Sequence, residues 1–171
     1  FTVTVTENEP PAFANCPGDI TQPAEPDTCG ANVFWNEPTV TDNCGIPTVW
    51  QSHFPGDFFP ATSTTVTYTA TDDNGNTATC EFTVTVVDDR PPLFTDCPED
   101  IVAPTNTDWC SALVFWPWPS HTLDNCDADL DSTFTHWPGS NFPLGTATVI
   151  YTISDDNGNA DTCSFTVTVY D

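Results

Sequence analysis

Two pentapeptides hold most of the chemistry this chain could do: Asp72-Asp73-Asn74-Gly75-Asn76 and Asp155-Asp156-Asn157-Gly158-Asn159. In each, Asn-Gly supplies the positive φ of a tight hairpin. The turn does not explain the leading pair of aspartates, because adjacent carboxylates repel unless a cation lies between them. Hard oxygen ligands of this kind suit calcium, which takes six to eight of them in flexible geometry. The spacing is not that of an EF-hand loop, since the closing Glu is missing. Solvated turns with capping carboxylates are the alternative reading.

The eight cysteines fall four to a half at matching places, with no Cys-x-x-Cys pair to suggest zinc or thiol redox chemistry. Read as disulfides, they imply an oxidising, extracellular setting. Four cysteines allow three connectivities, which the sequence leaves open. Strand order favours Cys16 with Cys80, tying the ends of the first half, and Cys29 with Cys44. The equivalents are Cys97 with Cys163 and Cys110 with Cys126. On a loop-entropy model the long bridge contributes roughly 4 kcal/mol and the short one about 3. His53 and His136 occupy matching places and His121 stands alone, so structural hydrogen bonding is the expected role. With no Gly-x-Ser-x-Gly elbow and no His-Glu-x-x-His, the chain is not expected to be an enzyme.

The formal charge is -24, with one Arg and no Lys. Such a surface cannot neutralise phosphates, which excludes nucleic acid as a partner and disfavours anionic membranes. It also repels itself unless cations screen or bridge it. No apolar run is long enough to span a bilayer.

The elements that must position these groups come from a repeat. Thr69 to Val86 recurs as Thr152 to Val169, and the period of about 82 residues marks a small domain rather than a solenoid unit. Thr, Val, Phe and Tyr alternate at period two over Thr64 to Ala70, Phe82 to Val86, Thr146 to Tyr151 and Phe165 to Val169, the pattern of half-buried strands. Seventeen prolines and the lack of helical periodicity give an all-β class, and short strands at this density fit a Greek-key β-sandwich. The expected core is Ala31, Val33, Trp35, Val66, Tyr68, Phe82, Val84 and Val86, then Ala112, Val114, Trp116, Val149, Tyr151, Phe165, Val167 and Val169. Acidic linkers closed by Pro10-Pro11 and Pro91-Pro92 hold extended backbone. The organisation expected is thus residues 8–88 and 89–171 as two sandwiches stacked end to end, preceded by 1–7. In that leading segment Phe1, Val3 and Val5 repeat the last strand of each copy, so it is expected either to end an earlier repeat or to be donated to a neighbouring molecule.

The ordered set Pro10-Pro11, Cys16-Pro17-Gly18-Asp19-Ile20, Cys29-Gly30-Ala31, Trp35, Asp42-Asn43-Cys44, Phe59-Pro60, Val66 to Asp72, Gly75-Asn76 and Cys80 resembles the HYR (hyalin repeat) domain. The second copy repeats it through Pro91-Pro92, Cys97-Pro98-Glu99-Asp100-Ile101, Asp124-Asn125-Cys126, Phe142 to Thr146 and Asn157-Gly158-Asn159, departing by one residue inserted before Asp124 and by Trp118 in place of Glu37. The resemblance implies an immunoglobulin-like, extracellular module that occurs in strings, with a link to adhesion and calcium-dependent matrix.

In an immunoglobulin-like sandwich the F–G hairpin, the B–C loop and the incoming linker meet at one end. One calcium site is therefore expected from Glu7, Glu9, Asp42, Asn43, Asp72, Asp73, Asn74 and Asn76, and a second from Asp88, Asp89, Asp124, Asn125, Asp155, Asp156, Asn157 and Asn159. The function expected is that of a structural filament or adhesin stalk whose partners are copies of itself or further repeats. Phe34, Phe115 and Leu113, with Trp50, Trp109, Trp118 and Trp137, would give an outward aromatic surface suited to glycans or cell-surface proteins. There is no Asn-x-Ser/Thr acceptor, and the threonines are candidates for O-linked sugars.

Overall fold

The computed structural model describes residues 1–3, 6–106 and 109–171. They form two compact units, Phe1–Asp88 and Asp89–Asp171, and among the described residues there is no helix. The first unit holds β1 (Ala12–Ala14), β2 (Ile20–Pro23), β3 (Gly30–Asn32), β4 (Thr39–Thr41), β5 (Thr48–Gln51), β6 (Phe58–Pro60), β7 (Ser63–Thr71) and β8 (Thr77–Val87). The second holds β9 (Phe94–Asp96), β10 (Ile101–Pro104), β11 (Ser111–Val114), β12 (Ser120–His121), β13 (Asp131–Phe134), β14 (Ser140–Pro143), β15 (Gly145–Ser154) and β16 (Ala160–Tyr170).

Each unit is a β-sandwich built on one four-stranded sheet, in the order β2-β8-β7-β5 or β10-β16-β15-β13. Two-stranded pairs complete it, β3 with β6 and β1 with β4 in the first unit, β11 with β14 and β9 with β12 in the second. The alternating segments seen in the sequence become the long hairpins β7–β8 and β15–β16, in which every second side chain of the central stretch is buried. The strand β2 runs parallel to β8 with Ile20 opposite Val84, and β10 runs parallel to β16 with Ile101 opposite Val167. Parallel pairing of an early strand with the last one closes the sandwich.

Fifteen of the sixteen expected core residues are buried, and Trp35 is half-buried. Its indole N–H donates to the Tyr68 hydroxyl at 2.7 Å, as that of Trp116 donates to Tyr151 at 2.8 Å. Burial pushes both phenols above their ordinary pKa, with the indole donor pulling the other way. Phe59 and Phe142 are almost wholly buried as well. They meet the tryptophans with ring centroids 6.0 Å apart in each unit. His53 and His136 lie against these same phenylalanines and pair through Nδ1 with Ser52 and Thr135, so both are packing residues. Phe34 and Phe115 are exposed, as their strand phase implies. Each ring rests on a glycine at positive φ, Gly56 (φ 95°) or Gly139 (φ 90°), where no side chain would fit beneath it.

Disulfides join Cys16 to Cys80 and Cys97 to Cys163, with Cα separations of 5.8 and 5.6 Å. The short bridges favoured by strand order do not form. Cys29 and Cys126 are disulfide-bonded, but Cys44 and Cys110 carry free, exposed thiols. The reason is distance along β7 and β15. Cys29 accepts from the Ala61 amide just before β7, and Cys44 lines a hollow with Asp72 and Asp73 just after it. A nine-residue strand separates the two positions, and at about 3.3 Å per residue that is roughly 30 Å, against a limit near 7 Å for bridged Cα atoms. In the second unit Cys110 accepts from Leu144 before β15, and the loop of Cys126 is tied to the hairpin after it.

Phe1 and Val3 are exposed and lie in no strand, and Val5 falls outside the described residues.

Candidate metal centre

Pairing of β1 with β4 sets the first half of the site. Ala12, which opens β1, lies opposite Thr41, which closes β4, so the segment entering β1 meets the residue leaving β4. Pro11 is buried and fixes that entry. The second half is the β7–β8 turn, which starts at Asp72. Carboxylate oxygens of Glu7, Asp42 and Asp72 consequently lie within 4.8 Å of one another. Glu9 accepts from Asn43 Nδ2 at 3.0 Å, and Asn76 Nδ2 reaches the Glu7 carbonyl at 3.5 Å and Asp72 Oδ2 at 2.7 Å. Asp73 is not among these three carboxylates; with Asn74 it lines an adjoining hollow of about 10 Å³ beside Asp42, Cys44 and Asp72, room for about one water-sized sphere.

The turn itself accounts for one of the two adjacent aspartates. Asp72 Oδ1 accepts from the Asn74 and Asn76 amides at 2.9 and 2.8 Å, and Asp155 Oδ1 accepts from Asn157 and Asn159 at the same distances. Gly75 and Gly158 take the positive φ of 89° that Asn-Gly announces. Burial opposes ionisation of Asp72, but bonds from the Asn76 side chain and the Asn76 and Asn74 amides outweigh it and hold the carboxyl below its ordinary pKa. Asp155 is only 5% exposed and fully used in its turn. The second unit therefore repeats the turn. Around it Asp124 accepts from the Cys126 and Asp127 amides, while Asp127 accepts from the Asp156 amide at 2.9 Å and fastens loop to hairpin. Asp127 replaces Gly45 of the first copy, a substitution whose role emerges only once the two loops are seen together. Asp88 closes the first unit half-buried, and Asp89 opens the second unit exposed.

Two atoms in the first unit test whether a cation suits the Glu7, Asp42 and Asp72 cluster. Glu7 Oε2 and Asp42 Oδ1 are shielded from solvent and have no hydrogen-bond partner. A buried carboxylate oxygen left in that state is costly, and three anions share the pocket in a chain with a single Arg. Nearby, burial and then the negative charges of Glu7, Asp42, Glu9 and Asp72 push the Cys44 thiol up, which weakens its sulfur as a metal ligand. Hard oxygens with unmet acceptor capacity suit calcium better than zinc, whose structural sites draw on Cys and His.

Comparison with known proteins adds a sequence family. The family model described as HYR domain matches residues 6–86 and again 87–169. The chain is 41% identical over 99% of its length to hyalin of Lytechinus variegatus and 37% identical over 99% to hyalin of Strongylocentrotus purpuratus. It spans 32% and 14% of those two proteins. It is also 35% identical over 91% of its length to the rat sushi, von Willebrand factor type A, EGF and pentraxin domain-containing protein 1, of which it spans 4%. Among solved structures, a protocadherin gamma B4 extracellular domain overlaps 95% of this chain and 33% of its own at a TM-score of 0.37 and 14% identity.

Proposed function

The chain belongs to the HYR domain family, two modules in tandem and extracellular or at the cell surface, and from that premise we propose that it is a non-enzymatic structural segment of a filament or adhesin stalk, stiffened by calcium. The observation that carries the proposal is the convergence of Glu7, Asp42 and Asp72 with two orphaned, water-shielded oxygens. Calcium bound there would tie the incoming linker to the β4 exit and the β7–β8 turn, removing freedom from the segment that enters the module. Asn76, Glu9 and Asn43 would support the ligands through the hydrogen bonds they already make. The partners are further repeats or copies of the chain, and the exposed segment of Phe1 and Val3 is available to extend a sheet edge of a neighbour.

Calorimetric titration with calcium tests this reading. Binding is expected near 10⁻⁴ to 10⁻³ M, the range of roughly that order typical of extracellular modules, with a chelator-sensitive melting temperature. Both should disappear in Asp42→Ala. Absence of heat and of any melting shift at millimolar calcium would overturn the calcium part, and native material without filaments in electron micrographs would overturn the structural part.

One observation favours a second reading, glycan recognition. Trp118 and Trp137 are 52% and 61% exposed and border a group with Phe134 and Tyr151 that the first unit lacks. Exposed indoles stack on sugar rings. Glycan-array binding that vanishes in Trp118→Ala or Trp137→Ala would establish it, and a blank array would dismiss it.

A further inference from the structure

In each unit one disulfide staples the module, and the other two cysteines lie at opposite ends of the long hairpin, too far apart to meet. The two kinds of position are in different states in the two copies. Cys110 is free while its counterpart Cys29 is disulfide-bonded, and Cys44 is free while its counterpart Cys126 is disulfide-bonded. Each free thiol thus occupies a place that supports a bridge in the sister module. Both free thiols are exposed, and they belong to complementary ends: Cys44 to the acidic end of the first unit, Cys110 to the opposite end of the second, beside the start of β15.

We propose that Cys110 of one copy of this chain forms a disulfide with Cys44 of another, so that chains couple covalently head to tail. The inference rests on the reading of the chain as a filament segment. The reaction is thiol–disulfide exchange with a low-molecular-weight disulfide such as oxidised glutathione. One protein thiol forms a mixed disulfide and releases a glutathione thiol, and the second protein thiol then displaces the other glutathione. The protein pair loses two electrons and two protons, and the glutathione disulfide gains both.

The full chain is incubated with oxidised glutathione and run on non-reducing gels beside Cys44→Ser, Cys110→Ser and their equimolar mixture. Wild type is expected to give a ladder of oligomers that dithiothreitol collapses. Each single variant lacks one of the two partners and should stay monomeric, and the mixture should give a mixed dimer in which peptide mapping finds Cys44 linked to Cys110. Both exchanges leave the stapling disulfides in place, so folding is checked by the unchanged melting transition. A wild-type monomer that keeps two free thiols, a monomer lighter by two hydrogens from an internal bridge, or symmetric Cys44–Cys44 and Cys110–Cys110 links would each overturn the proposal. If filaments and calcium binding persist without a ladder, the coupling fails alone. If the ladder forms but native material shows no filaments, the structural reading fails and the coupling stands.

Discussion

On one flank the two units use the same backbone for opposite purposes. Gln51, two residues before His53, faces Tyr68 across the sheet, and Phe134, two before His136, faces Tyr151. In the first unit Gln51 donates to Glu37 at 3.3 Å. In the second, Trp118, Phe134, Trp137 and Tyr151 interlock, with Phe134 and Trp137 centroids 4.3 Å apart and Trp118 within 5.7 Å of each of the other three. Strand register, core and staple are unaffected by the exchange. A sandwich held by its interior and its disulfide leaves this flank free to vary, and a string of such modules can present a different surface on each one.

That contrast is sharpened first by removing what the units share. Replacing Cys16 and Cys80 by Ser, or Cys97 and Cys163, opens loops of nearly equal separation, 64 and 66 residues. Each pair of substitutions is expected to cost its own unit about 4 kcal/mol, a large part of a module's stability. Calorimetry that found clearly unequal losses would break the premise of a common scaffold. A smaller and deliberately unequal effect comes from the flank itself. Phe134→Gln should destabilise the second unit by roughly 2 kcal/mol through lost aromatic burial. Gln51→Ala should cost the first unit less than about 1 kcal/mol, since an exposed hydrogen bond adds little. Equal losses in denaturant melts would show the cluster to be surface decoration.

The smallest effect is set by pH. Asp19 and Asp100 accept from the Thr83 and Thr166 amides, each at 2.7 Å. The Thr166 amide and hydroxyl hold the Asp100 carboxyl below its ordinary pKa, against a weaker opposing effect of burial. A carboxyl depressed in the folded state stabilises above its unfolded pKa and loses that contribution as pH falls through the folded one. The melting temperature of the second unit should therefore drop below about pH 4, and Asp100→Ala should flatten that acid limb. An unchanged limb in the variant would assign the acid sensitivity elsewhere.

The long hairpins, their turns and nearly the whole core are legible in the sequence because alternation over many residues has one physical meaning, a strand with one face buried. Phe59 and Phe142 escape that logic: they lie in strands of three and four residues bounded by proline, too short to show a period. The same brevity hides β1 and β4, whose pairing brings Glu7 to Asp42. Acidic loops alone therefore announce which residues could meet but not which do, and Asp73 ends outside the carboxylate cluster. The two long cysteine pairs form as expected, and the two short ones failed for a different reason. Strand order placed Cys29 with Cys44, whereas the chain between them spans the length of β7 and carries them to opposite ends of the hairpin.

The Cys16–Cys80 bond also governs how a module answers a pull on its ends. Tension arriving from the linker reaches Cys16, crosses the sulfurs to Cys80 and leaves along β8, bypassing everything enclosed between them. A separation of 64 residues is thereby withheld from stretching, on the order of 200 Å of slack at full extension. With Cys97–Cys163 doing the same in the second unit, the chain behaves under load as a tether rather than a spring, and lengthens only where short stretches lie outside the loops.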